Sequence, residues 1–406
     1  MFDTIVVGAG QAGLGVALEL AARGLGFVVL ERGQVGETWR RQRWDSFVLN
    51  TPNWMNQLPG QQFELGHPEA FAATATLLHS FEAAASSLPV VTDTEVHRLA
   101  AEDDHYRVES SRGVDLARTV VIASGGLNVP RIPAVAATLP DRLVQLHTGG
   151  YRSPDDLPPG AVLVIGGGQS GAQIVEDLRA GGRDVYFSIS AVARLPRRYR
   201  GRDLMSWMTD LGMWDTRPNE VDDPAMLRAA NPLTSGVGLR GHTVSYQALA
   251  AAGVTLLGRF EQAEGEIVHT DGRAGEYVAF SDEASTAFRA AVDALVDERG
   301  LDAPLPEQDP ADVPAPPGLA LLEELDLAAA GVTTVIWATG FGGDFSWIDL
   351  PIVDGRSIAH TDGATAAPGV FCLGLGWTSN RRSGVIAGIA DDARRVAASV
   401  EEYVRG

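Results

Sequence analysis

One run of residue types occurs twice in this chain. DTIVV at 3–7 leads into Gly8, Gly10 and Gly13, and AVLVI at 161–165 leads into Gly166, Gly168 and Gly171. Each copy reads as a buried strand, a Gly-x-Gly-x-x-Gly turn and a helix. The first glycine permits the tight turn, the second lets backbone approach a diphosphate, and the third lets helix pack on strand. The helix N-terminus then offers free N–H groups and the positive end of its dipole to an anion. A lone match means little in a chain with 46 glycines. Two copies in strand–turn–helix context predict an α/β fold with two dinucleotide-binding, Rossmann-like domains in three layers.

The residues beyond each turn distinguish the two ligands. Glu31 closes the strand FVVL after the first turn, where a carboxylate accepts from ribose hydroxyls. After the second turn the matching strand end is Ser188-Ile189-Ser190, with no acid, and Arg194, Arg197 and Arg198 come soon after. An acid there would repel a 2′-phosphate, whereas serine and arginine donors accommodate one. The second unit is therefore expected to prefer NADPH, through Ser190, Arg194 and Arg197. The alternative is that ARLPRRYRGR is a solvated basic face.

Two further strands end alike, VVIASGG at Ala123, Ser124 and Gly125, and VIWATGF at Ala338, Thr339 and Gly340. Small residues there let backbone pass close to a cofactor. A Pro-rich linker near 153–160 separates the first unit from the second copy. The expected division is a discontinuous first domain, 1–152 plus 331–406, with the second domain, 153–330, inserted. Within the insertion, 200–275 reads as irregular, 281–298 as helix and 301–318 as loop. A last helix is expected from about Ser383 to Val400.

Composition narrows the partners. With 52 acidic and 32 basic residues the formal net charge is −20, which repels nucleic acid and anionic membrane surfaces. The single cysteine, Cys372, allows no intrachain disulfide and no thiolate metal site. No metal is expected. The glycine turn at Gly8 leaves little room for a signal peptide ahead of it, and a reducing cytoplasm is the expected location.

Beyond these features the chain resembles the class B, or flavin-containing, flavoprotein monooxygenases, among them bacterial oxidoreductases labelled for potassium or metal-ion transport. Both glycine fingerprints carry the resemblance, with GETWR at 36–40, LNTPNWMNQLP at 49–59 and ATGF at 338–341. His147 and Tyr151 match half of the family's linker fingerprint. Asp141 and Leu143 depart from the rest of it, and Leu375 stands after Gly374 where many two-dinucleotide flavoproteins have Asp.

The resemblance implies FAD on the first domain and NADPH on the second. It implies oxygen transfer from a flavin C4a-hydroperoxide to nitrogen, sulfur or a carbonyl of a small molecule, with dioxygen as co-substrate. An NADPH-dependent dehydrogenase or oxidase, or a nucleotide-sensing subunit of an ion transporter, remain open, as does a homodimer. It also implies cofactor contacts from Gln11, Ala12, Arg32, Thr38, Trp39, Thr51, Val96, Gly374 and Arg382 on the FAD side, and from Gln169 and Ser170 on the NADPH side. Asn50 stands where the family keeps an asparagine at the flavin C4a edge. Its amide could hydrogen-bond the oxygenated flavin, or it could simply cap the turn before Pro52.

Overall fold

The computed structural model describes residues 1–316 and 322–406. The first module opens with β1 (Phe2–Val7), α1 (Gln11–Ala22) and β2 (Phe27–Leu30). It continues through α2 (Thr74–Ala85), β3 (Val90–Val91), β4 (Val96–Glu102), β5 (His105–Ser110) and the long β6 (Gly113–Ile122). The second module holds β7 (Val144–His147), β8 (Ala161–Ile165), α3 (Gln169–Ala180), β9 (Val185–Ser188), β10 (Thr255–Leu257), α4 (Ala274–Arg299) and β11 (Val332–Trp337). The chain then returns to the first module with β12 (Val370–Cys372) and α5 (Ile386–Arg405).

Each module is organised on a parallel sheet with the same logic. In the first, the parallel order is β3-β2-β1-β6-β12, and β4 and β5 extend it antiparallel from the other half of β6. In the second the order is β10-β9-β8-β11-β7, all parallel. The strand order reverses direction at β1 in one and at β8 in the other, so each has a crevice beyond its strand ends there.

Alternation along β1 shows how the layers close. Val6 joins a core with Leu14 of α1, Leu77 and Phe81 of α2 and Ile389 of α5. Ile5 and Val7 point the other way, onto Val108 of β5 and Phe345 and Ile348. Helices cover one face of this sheet, and the β4–β5 layer covers the other. In β8, Val162 and Val164 face Ile174 of α3, while Leu163 and Ile165 pack with Leu257 and Trp337. Strands buried on both faces read as unbroken apolar runs, as IVV at 5–7 and AVLVI do.

Strand membership corrects the expected junctions at 152 and 331. Both β7 and β11 lie in the second sheet, with Trp337 in register with Ile165 and His147. The ATGF end of β11 resembles the ASGG end of β6 because each fills the same slot beside its own glycine turn, not because they share a module. The helix expected at 281–298 begins earlier, at Ala274. The stretch 200–275 is less irregular than it reads. It contains a hairpin pairing Arg198 with Asp203, a helix at Leu204–Asp210, and β10. These pieces are too short to show a period. The loop expected at 301–318 has no helix or strand through 316; its last two positions lie outside the described residues.

Candidate functional site

The two glycine turns are copies in atomic detail. Gly8 N–H donates to Leu30 O at 2.8 Å, and Gly166 N–H donates to Ser188 O at 3.0 Å. Gly8 has φ +108° and Gly166 φ +119°. A Cβ on Gly8 would lie 2.6 Å from Ala123 O, and one on Gly166 2.4 Å from Ala338 O. Gly13 and Gly171 press on Gly8 O and Gly166 O in the same way. Beside these crowded glycines, Gly10 and Gly168 face open space. Both also sit at the N-caps of their helices with no side-chain cap and no acid in the first turn. Free N–H groups, a positive dipole end and room beside a glycine suit a diphosphate. The donor set of this chain therefore fits two dinucleotides, one at α1 and one at α3.

Around α1, Glu31 is buried and accepts from the N–H groups of Ala9 at 2.7 Å and Gly33 at 2.9 Å. Two oxygens with about four acceptor positions leave room for ribose hydroxyls as well. Thr94 N–H donates to Glu31 O, which brings the start of β4, with half-buried Val96, toward this end of the sheet. Gln11 Nε2 donates to Gly384 O, and its Oε1 accepts from Trp39 Nε1 at 3.2 Å. That side chain ties α1 to the segment before α5 and to the short helix Glu37–Arg41, which also carries Thr38. Gly374, at φ +78°, lies against Ala12, where a Cβ would come within 2.4 Å. Gly125, at φ +78°, is open at the end of β6. Arg382 is held by Asp215 and Asp391, and Arg32 is exposed.

At the second crevice, a cavity of about 340 Å³ opens beyond β8, β9 and β10. Gly166, Ser190, Arg259, Glu261, Trp337 and Thr339 line it. The Ser188 hydroxyl donates to Gly258 O and accepts from Phe260 N–H, both at 2.9 Å. These bonds pin the turn that carries Arg259. Its side chain is 64% exposed and lies 3.9 Å from Asp271. Thr339 Oγ1 donates to Arg131 O, and Gly340 is open at φ +80°. Ser170 is half-buried in the first turn of α3.

Arg194 and Arg197 do not line this cavity. Arg194 is 4% exposed and pairs with Asp282 at 2.7 Å and Asp312 at 2.9 Å. Arg197 is 1% exposed and is held at two points by Asp203. Both cations are already neutralised by carboxylates packed against them, so they are unsuited to clamp a 2′-phosphate. Their partners lie far along the sequence or past a turn, and spacing alone does not reveal them. Sequence reasoning misses Arg259 because β10, just before it, has only three residues.

Asn50 lies where the modules meet. Its Oδ1 accepts from Gln173 Nε2 at 2.8 Å, and its carbonyl accepts from Arg197 Nη1 at 2.7 Å. Gln169 is turned to Thr234. Thr51 donates to Asn56 Oδ1 at 2.6 Å, which closes the turn before the 3₁₀ segment Asn53–Met55. His147 is buried at the junction. Gly149 N–H donates to its Nδ1, so Nε2 carries the proton and donates to Gly340 O at 2.8 Å. Burial lowers its pKa and keeps the ring neutral. It is the last residue of β7, in register with Trp337. Among the described residues no three His, Cys, Asp or Glu gather as a metal site, and no helix is long and apolar enough to cross a membrane.

Residues 5–200 match the family described as pyridine nucleotide-disulphide oxidoreductase. The chain is 29% identical to an oxidoreductase of Geobacillus kaustophilus, named "Uncharacterized oxidoreductase CzcO-like", over 96% of each chain. It is 31% identical to the indole-3-pyruvate monooxygenase YUCCA1 of Oryza sativa over 58% of this chain and 59% of that one. In structure it is similar to the flavin-containing monooxygenase of Stenotrophomonas maltophilia, with TM-score 0.66 and 20% identity, over 99% of this chain and 98% of that one.

Proposed function

We propose that this chain, a member of the flavin-containing monooxygenase-like oxidoreductases, binds FAD at α1 and NADPH at α3 and oxygenates a small molecule at nitrogen, sulfur or a carbonyl carbon. One oxygen atom of dioxygen enters the product. The other leaves as water, with two electrons from NADPH. The observation that carries this reading is the duplicated turn: two uncapped helix N-termini, each at the switch point of its own sheet, with Asn50 between the modules.

FAD, when bound, supplies the redox chemistry between NADPH and dioxygen. The chain's own residues bind and orient. Glu31 accepts from the adenosine ribose of FAD, and the α1 N-terminus holds its diphosphate. The α3 N-terminus holds the NADPH diphosphate, and Ser190 with Arg259 receives the 2′-phosphate. This reassigns the phosphate contact from Arg194 and Arg197 to the exposed cation of the cavity. Asn50 offers a neutral amide that can donate a hydrogen bond to a developing oxygen anion without protonating it outright.

Loading purified protein with FAD and tracking NADPH consumption, oxygen uptake and peroxide release across amines, thioethers and ketones tests the reading. Oxygenated product in step with NADPH consumed supports it. NADPH consumption that ends wholly in peroxide with every class points instead to a flavin oxidase.

A further inference from the structure

A chain of side-chain amides runs from α3 to Asn50, and backbone groups fix the direction of every member. Thr234 N–H can only donate, and it donates to Gln169 Oε1 at 3.2 Å. Thr234 O can only accept, and it accepts from Gln169 Nε2 and from Gln173 Nε2, the latter at 3.1 Å. The Gln173 NH₂ group therefore faces the 234 peptide. The same nitrogen lies 2.8 Å from the Asn50 side chain, so Asn50 must present its oxygen there. Its NH₂ group is turned away from α3. Reversing Gln173 would set its oxygen against Thr234 O and force Asn50 to turn over.

The arrangement leaves a buried polar atom unsatisfied. Gln173 is 6% exposed and its Oε1 is buried without a partner. Such atoms are rare in folded proteins and call for a reason. Here the two donated bonds hold the amide in the one sense that orients Asn50. Arg197 donates to the backbone carbonyl of Asn50, and Asp203 holds Arg197. Gln169 and Gln173 are one helical turn apart on the helix whose N-terminus faces the second crevice.

We propose that Gln173 is a positioning residue for oxygen transfer. It locks the Asn50 amide so that the N–H donors, not the carbonyl, are available at the flavin edge, and it does so from the NADPH-binding helix. This rests on the reading that Asn50 borders the flavin.

The test is a double-mutant cycle on FAD-loaded enzyme, read as peroxide released per NADPH consumed. Gln173→Glu keeps the shape but presents only acceptors, so Asn50 should turn its NH₂ toward Glu and its oxygen outward. Losing one oriented hydrogen bond predicts roughly five-fold more peroxide per NADPH. Gln173→Met, which fills the volume without a donor, should also raise it, and serves if the glutamate variant folds poorly. In an Asn50→Leu background either change should add nothing, because Gln173 acts through Asn50. A second readout is spectroscopic. In nitrogen-labelled FAD-loaded protein, the side-chain NH₂ signals that vanish in Asn50→Leu should move in Gln173→Glu. A Gln173 effect that persists without Asn50 overturns the proposal. So does wild-type peroxide in both Gln173 variants while Asn50→Leu leaks. If Asn50→Leu itself leaks no more than wild type, the placement of Asn50 falls, and the proposal with it.

Discussion

Arg197 closes a two-point ion pair on Asp203, Nε to Oδ2 at 2.9 Å and Nη2 to Oδ1 at 3.1 Å, with both residues buried. Asp203 also caps the helix Leu204–Asp210 through Met205 N–H. Removing one partner strands the other charge in the interior, at about 3–5 kcal/mol. Arg197→Ala should therefore lower the thermal midpoint sharply. At a temperature where it remains folded, its preference between NADPH and NADH should match wild type. Loss of that preference with full stability would restore Arg197 as a phosphate ligand.

Arg259 should set the nucleotide preference instead. A charge-assisted bond to phosphate is worth about 1.5–3 kcal/mol, and an exposed side chain belongs at the low end. Arg259→Ala should weaken NADPH binding roughly ten-fold and leave NADH nearly unchanged. Stopped-flow reduction of bound FAD by each nucleotide measures both. Equal losses for the two nucleotides would remove Arg259 from the 2′-phosphate site.

Asn50→Leu should separate flavin reduction from oxygen use. The proposed NADPH site lies on the other module, so anaerobic reduction should change little. Peroxide per NADPH should rise roughly five-fold, the value of one hydrogen bond of about 1 kcal/mol. A variant that loads FAD normally and leaks no more than wild type would leave Asn50 as a turn residue.

His242 and Glu176 tie the 235–242 loop to α3, Nε2 to Oε1 at 2.8 Å. The Glu176 bond raises the His242 pKa, against the opposing effects of burial and Arg197. A pKa raised on folding stabilises fully below the unfolded histidine value and is lost as pH rises through the folded one. The pair is partly exposed, so its contribution is at most about 1 kcal/mol. From the ordinary histidine range upward, wild type should lose stability relative to His242→Gln. Thermal midpoints of both proteins across that range check this; parallel curves would contradict it.

The parts legible in the sequence are those whose chemistry is local. Both glycine turns, β1, β8 and Glu31 declare themselves within a few neighbouring residues, and the fold grows from them. The illegible parts depend on distant partners. Arg194 and Arg197 read as phosphate donors in a run of arginines, yet Asp282, Asp312 and Asp203 close over them. β11 is expected in the first module but pairs in the second; its ending copies that of β6 because the two strands fill equivalent slots in two sheets. Gln173 carries no motif at all. Only its distance to Asn50 and its unsatisfied oxygen mark it.

Turnover under isotopically labelled dioxygen tests oxygen transfer most directly. FAD-loaded enzyme is given NADPH with an amine, a thioether or a ketone, and label is traced into organic product, water and peroxide. For at least one of these classes, one labelled atom should enter the product per NADPH consumed, with little peroxide. Label appearing only in peroxide for all three classes, or protein that does not take up FAD, would contradict a monooxygenase built on the two glycine turns.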